Sequence, residues 1–295
     1  MKKILLFGAT GQLGHDIQNV FKQSEDFAII PLSSKDFYFS GDKDLQLFLK
    51  DNWPFDCLIN AMAMTNTGLC EDQEKLAYKI NEKAVREMAM FCQSKDIPMF
   101  HFSTDYIFDG KRDFNKRNAY SEKDQTNPLS VYGASKLAGE QALMETSKKY
   151  FIFRVSSLYG SVPGGNNFVN TMLKFSKEKD ELKIVNDQFM SPTHTQDIAK
   201  AVHYFIINKI QDYGIYHCSD RGVCSWHEFT LEIMRSIGCD INVIPVSHIE
   251  FPSKLERPAY SELDNEKLSR YIKMPKWQDS LKEYLDILRS EGRLR

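Results

Sequence analysis

The chain has 295 residues, 42% of them hydrophobic and 26% charged, with a formal net charge of −2. That length holds one large domain or a core domain with a smaller partner, and the composition excludes a disordered chain. The balanced charge offers no global basic field to nucleic acid, and no run approaches the ~20 apolar residues that span a bilayer.

Lys2 and Lys3 precede an apolar run of only four residues, Ile4 to Phe7, which ends in a glycine-rich turn rather than a cleavage site. A signal peptide is not expected, and the expected location is the cytoplasm. Five short, nearly continuous apolar runs read as strands buried on both faces of a parallel sheet: Lys3 to Phe7, Phe27 to Leu32, Asp56 to Asn60, Ile97 to Phe102 and Phe151 to Val155. Between them, helical spacing predicts helices over Gln12 to Ser24, Asp42 to Asp51 and one long helix over Glu71 to Ser94. A further helix starts near Tyr132 and runs to about Ser147. Strands alternating with helices imply right-handed crossovers and a Rossmann-like, doubly wound α/β sheet.

Beyond residue 155 the pattern loosens. A Gly/Pro-rich loop (Gly160 to Asn167) precedes a helix at Phe168 to Lys177. Short strands are expected at Leu182 to Asn186 and Gly214 to Cys218, with helices at Thr195 to Asn208 and Trp226 to Ile237. The latter opens with Ser225 and Glu228 at capping-box spacing. Val246 to Ala259, with Pro252 and Pro258, reads as loop. The expected division is a dinucleotide-binding domain over 1–155 and a smaller, mainly substrate-binding α/β region over 156–295, some of whose segments return to the first domain.

Gly8-Ala9-Thr10-Gly11-Gln12-Leu13-Gly14 follows the first strand and opens the first helix. There the glycines permit a tight turn, close approach of a pyrophosphate and close helix–strand packing, while the helix N-terminus favours phosphate charge. The second strand ends in Ser33, Ser34 and Lys35 before any acid, which suits a 2′-phosphate and favours NADPH. Asp36 leaves NADH open. Tyr132 and Lys136 stand at i, i+4 on one helix face, where an ammonium can stabilise phenolate and the phenol can exchange a proton with a carbonyl oxygen. Ser103 and Thr104, just past the fourth strand, both qualify to hydrogen-bond that oxygen.

Six cysteines (Cys57, Cys70, Cys92, Cys218, Cys224, Cys239) stand at irregular intervals without a C-x-x-C pair and read as buried thiols. His194, His217 and His227 lack metal-ligand spacing and read as satisfied structural histidines, so no metal site is assigned.

These elements, in this order, resemble the extended short-chain dehydrogenase/reductase family and, within it, the dTDP-4-dehydrorhamnose reductase group. The resemblance runs through nearly the whole chain: GATGQLG from Gly8, LINAMAMT from Leu58, AYKIN from Ala77, FSTDYIFDG from Phe102, VYGASKLAGE from Val131, GNNFVNTML from Gly165, NDQFMSPT from Asn186, GIYHCSD from Gly214 and RPAYSELDNEKL from Arg257. It implies reduction by NAD(P)H of the C4 keto group of a nucleotide-activated 6-deoxyhexulose. Carried over, Tyr132 is the proton donor, Lys136 supports it and Thr104 orients the keto group. Gly8, Thr10, Gly11, Gln12, Leu13, Ala61 and Ala63 face the cofactor. Thr65, Asp105, Ser157, Asn166, Asn167, Phe168 and Arg257 belong to the substrate side, where the Arg257 fork suits a diphosphate. Some members use Mg2+ at a dimer contact; no acidic cluster here is assigned to one. The expected partner is a small-molecule nucleotide sugar, with a homodimer compatible, and neither nucleic acid nor membrane.

Three positions depart from the group's pattern. Ser157 stands where a tryptophan is usual, Met64 where a tyrosine is, and Gly68 where an aspartate is. All three are expected around the substrate pocket rather than on Thr104, Tyr132 or Lys136. Two alternatives accompany the reductase reading. One is another extended-family nucleotide-sugar epimerase or reductase. The other is a non-catalytic dinucleotide-binding subunit like the regulatory subunit of methionine adenosyltransferase.

Overall fold

A computed structural model of the chain describes residues 1–37, 44–112, 118–250 and 255–294. The first half alternates β1 (Lys2–Phe7), α1 (Gln12–Phe21), β2 (Phe27–Leu32), α2 (Leu45–Asp51), β3 (Cys57–Asn60), α3 (Thr67–Asp72), α4 (Glu74–Tyr78), α5 (Ala84–Ser94), β4 (Met99–Thr104), α6 (Val131–Thr146) and β5 (Tyr150–Val155). The second half adds β6 (Leu158–Tyr159), α7 (Phe168–Glu178), β7 (Glu181–Val185), β8 (Phe189–Met190), β9 (Thr193–His194), α8 (Thr195–Ile207), β10 (Gly214–His217), β11 (Cys224–Ser225), α9 (Trp226–Ile237), β12 (Asn242–Val246), α10 (Glu266–Ser269) and α11 (Trp277–Ser290).

Six strands make one parallel sheet in the order β10-β5-β4-β3-β1-β2. Side chains alternate across it as strand geometry requires. Ile4 and Leu6 meet Leu13 and Ile17 of α1 and Ile198 and Val202 of α8 on one face. Leu5 and Phe7 meet Leu49 of α2, Val85 and Met88 of α5 and Leu143 of α6 on the other. The chain reverses direction across the sheet between β1 and β3, and Phe7 pairs with Asn60 in register. The carboxyl ends of both strands therefore open at one point, where open α/β sheets bind ligands. A separate core joins α7, α9 and α11 with β7 and β12. No helix among the described residues is long and apolar enough to cross a membrane.

The structure corrects or extends the sequence reading in four places. The long helix over 71–94 is broken: Gln73 leaves helical geometry (φ −131°, ψ 54°), and Lys79–Lys83 form a turn of π-helix before α5. The expected strand at Gly214–His217 is a segment that returns to the main sheet, at its edge beside β5. Helix α11 was not expected, although Leu281, Tyr284, Leu285 and Leu288 carry helical spacing and are buried. His194 is buried without a hydrogen-bond partner on either ring nitrogen, because pairing of β6 with β9 lays it flat against Tyr159, 5.4 Å between ring centroids. Residues 42–43 of the second expected helix, and 251–254 of the expected loop with Pro252, lie outside the described residues. The loop's described part contains a 3-10 turn at His248–Glu250. The Ser225–Glu228 capping box is present in both directions.

Candidate active site

The glycine turn is built by close approach. Gly8 adopts φ +79°, and a Cβ there would lie 2.7 Å from the Ala61 carbonyl, so only glycine lets the turn cross the end of β3. Gly11 N–H closes the turn on Gly8 O at 3.0 Å. Gly11 caps α1 with no side-chain bond and no acid in the first turn, leaving backbone N–H groups and a positive helix end for a phosphate. Thr10 and Gly11 are exposed. Leu13 points into the core, so only its backbone can serve a cofactor. Ala61 and Ala63 are half-buried beside the turn. These features fit a dinucleotide pyrophosphate.

At the end of β2, Ser33 N–H and Oγ–H both donate to Asp36 Oδ2 at 2.8 Å. Those bonds hold the Asp36 carboxyl below the usual carboxylate range and bend it into the turn. Ser34 and Lys35 stand exposed at the tip.

Ser130 caps α6 through the Gly133 N–H at 3.1 Å. A Cβ on Gly133 would lie 2.2 Å from Tyr106 O, so this glycine lets the helix seat against the segment following β4. Tyr132 then lies beside Thr104, whose hydroxyl favours the ionised phenol. Tyr106 lies edge-on to Tyr132 at 5.8 Å, and the small cluster of Met64, Cys70 and Ala77 packs against its ring. Burial raises the phenol's pKa, with Asp105 and Tyr106 adding to the rise and the Thr104 hydroxyl opposing it. The phenol therefore stays protonated at neutral pH, the state an acid needs to deliver a proton.

Lys136 is buried and its Nζ donates to Phe102 O at 2.6 Å. Burial pushes its pKa down to about 8 despite the nearby Glu140. The i, i+4 spacing predicts an ammonium activating the phenol. Nζ bonds Phe102 O of β4, because Lys136 hangs from a helix docked on that strand.

Thr104 Oγ1 also donates to Asp105 Oδ1 at 3.1 Å and accepts the Tyr106 N–H at 3.2 Å. The buried Asp105 carboxyl accepts Ser156 Oγ–H at 2.9 Å and Ser261 Oγ–H at 2.6 Å on its other oxygen. Its side chain thus joins three segments and has little reach left for a substrate. Ser157 is half-buried with φ +45°, an unfavourable backbone for a non-glycine residue. Asn167 caps α7 and donates to Gln12 Oε1 at 2.9 Å, linking the second region to the cofactor turn. Phe168 packs on Trp226 at 4.5 Å. Thr65 and Asn166 are exposed. Arg257 is exposed, makes no ion pair among the described residues, and lies near enough to Tyr106 to oppose the rise that burial and Asp105 give its phenol's pKa. Met64, one of the three departing residues, is buried under Tyr132 rather than open to the site, and Gly68 lies in α3.

Several supporting residues escaped the sequence reading. Asn81, in the π-turn, accepts Met64 N–H at 2.9 Å and donates to Met64 O and to Ser135 Oγ on α6. Asp16 on α1 accepts Ser161 Oγ–H at 2.6 Å and the Thr195 hydroxyl. Glu140 and Arg154 form a buried bidentate pair between α6 and β5, closest at 2.7 Å. The only sequence signal for Asn81 was its place in the AYKIN segment.

A parallel sheet with a phosphate turn at its switch point, and a threonine, tyrosine and lysine along the same edge, defines an NAD(P)H-dependent oxidoreductase of the extended short-chain dehydrogenase/reductase type. Residues 1–290 match the family model described as the RmlD substrate binding domain, and the chain belongs to that family. It is 36% identical to the spore coat polysaccharide biosynthesis protein SpsK of Bacillus subtilis (strain 168) over 97% of each chain. A crystal structure of a dTDP-4-dehydrorhamnose reductase from Clostridium acetobutylicum is 39% identical, with TM-score 0.90 over 97% of this chain and 99% of that one. The dTDP-4-dehydrorhamnose reductase of Bacillus anthracis, solved in complex with NADP, is 35% identical, with TM-score 0.89 over 97% and 100%.

Proposed function

We propose that this chain reduces the C4 keto group of a dTDP-activated 6-deoxyhexulose with NADPH, in the synthesis of dTDP-L-rhamnose or a related polysaccharide sugar. The observation that carries the chemistry is a phenol, Tyr132, held protonated beside a hydroxyl, Thr104, at the ligand-binding edge of the sheet. The cofactor, when bound, supplies the hydride. Tyr132 delivers its proton to the keto oxygen, Thr104 orients that oxygen, and Lys136 supports Tyr132 and holds the nicotinamide ribose. Residues 1–155 supply the cofactor half and 156–295 mainly the substrate half. Ser34 and Lys35 favour the 2′-phosphate of NADPH, since Asp36 is bent back onto Ser33. Arg257 serves the substrate diphosphate.

The test is NADPH oxidation with dTDP-4-keto-6-deoxyhexose, alongside UDP and GDP ketosugars. Wild type is expected to turn over the dTDP sugar, and Tyr132→Phe to lose about 100-fold or more in kcat, the scale of a lost general acid. Full turnover in the mutant would overturn Tyr132 as proton donor. Absence of turnover by wild type with every ketosugar would overturn the reductase reading.

A further inference from the structure

Behind Lys136 lies a buried pair that the reaction scheme does not use. His101 and Asn60 are each about 1% exposed, in the middle of β4 and at the end of β3, where the register sets them side by side. Asn60 Oδ1 accepts the Met62 N–H at 3.1 Å. This fixes the amide's orientation, because a flipped amide would set its NH2 against that N–H. Asn60 Nδ2–H therefore donates to His101 Nδ1, 3.2 Å away. Burial keeps the imidazole neutral. With Nδ1 accepting, its one proton sits on Nε2.

His101 Nε2 lies 3.4 Å from Lys136 Nζ. An N–H aimed at an ammonium meets only donors; aimed at an amine, it finds a lone pair. The other nearby charge on α6, Glu140, favours the ammonium but is committed to Arg154 of β5 through both carboxylate oxygens. Tyr132, one turn earlier on the same helix, is the remaining titratable neighbour and is uncharged as a phenol.

We propose that His101, fixed by Asn60 in its Nε2–H tautomer, is a positioning residue that favours the neutral amine of Lys136 over its ammonium and so weakens the lysine's hold on its proton. The inference rests on the reading of Lys136 as the partner of Tyr132. Its consequence is that the lysine's proton is gained or lost in the working pH range, so that the enzyme's pH dependence is set one layer behind the residues that touch the reactants. The histidine matters through its tautomer, and Asn60 matters because it chooses that tautomer.

Two NMR measurements on the full-length, cofactor-free protein test this. Long-range 1H–15N correlations of the His101 ring should show a protonated Nε2 and a bare Nδ1. With lysine labelled with 13C at Cε, one signal, absent in Lys136→Met, should titrate near pH 8, below all other lysines. In His101→Gln the amide can turn its oxygen to Nζ and accept from an ammonium. That midpoint should then rise by about one pH unit or more, a tenfold change in the ionisation constant. The alkaline limb of kcat/KM, which reports free-enzyme groups, should move with it. A protonated Nδ1, a Lys136 that titrates with the other lysines, or an unmoved midpoint in a folded His101→Gln would each overturn the proposal. The wild-type readings stand even if that variant does not fold. Neither NMR reading needs a sugar substrate, so failure of the ketoreductase assignment would register separately, in the turnover assay.

Discussion

Ser157 shows how a single residue can carry local backbone constraint at a functional edge. It follows β5, donates no side-chain hydrogen bond to a described residue, and holds φ +45° while its carbonyl accepts the Thr193 N–H at 3.2 Å. Such a conformation costs a non-glycine residue about 1 kcal/mol or more. Ser157→Gly should therefore raise stability by roughly 0.5–1 kcal/mol, less than the full relief because glycine also loosens the unfolded chain. Urea denaturation checks this, and a lowered midpoint would show that the serine hydroxyl stabilises the turn. Tyr132 and Lys136 teach a related lesson. Their spacing is legible from sequence. Their protonation states are set by burial, which raises the phenol's pKa and lowers the ammonium's.

At the scale of elements, the π-turn at Lys79–Lys83 is the piece that periodicity alone misses. It places Asn81 where one amide bonds the loop after β3 and helix α6, which carries Tyr132 and Lys136, together. π-turns within helices often mark functional sites. Each such bond contributes about 1 kcal/mol, and stranded buried backbone groups add more. Asn81→Ala should lower stability by about 3 kcal/mol, read as a shift of the urea midpoint at constant slope. It should also lower kcat, because Met64 under the Tyr132 ring and Ser135 on α6 lose their common tie. A stable variant with unaltered kcat would reduce Asn81 to a passive helix residue.

At the scale of the whole molecule, the stretch carrying Arg257 is stitched to the main body at two places. Phe189 pairs with Ala259 and Ser261 through backbone bonds of 2.8 and 2.9 Å, and Tyr120 pairs with Glu262 and Asp264 at 2.8 Å each. Ser261 adds its hydroxyl to Asp105, which also takes the Thr104 hydroxyl. The stretch proposed to meet the substrate and Thr104, proposed to orient the keto group, thus share one carboxyl. Ser261→Ala should raise KM for the ketosugar roughly fivefold, the worth of one such hydrogen bond, while the NADPH Kd stays within about twofold. Steady-state kinetics with a separate cofactor titration distinguishes the two. Equal loss of both would mean the substitution disturbs the sheet edge as a whole.

The sequence by itself determined the parallel sheet and the glycine turn and singled out Thr104, Tyr132 and Lys136 as the candidate trio, because each is written in local order. Strand length with unbroken apolarity, glycines at fixed offsets and an i, i+4 pair need only neighbouring residues to be recognised. It also located α8 and α9 and the Ser225–Glu228 cap. Tertiary structure alone decided that β10 completes the main sheet, that Asp16 and Asn167 tie the second region to the first helix, and that Asp105 gathers hydroxyls from three segments. It also decided which nitrogen of His101 faces Lys136. Those contacts join residues tens to well over a hundred positions apart. A buried polar group takes whatever partner the packing brings, and no local pattern announces which one that will be.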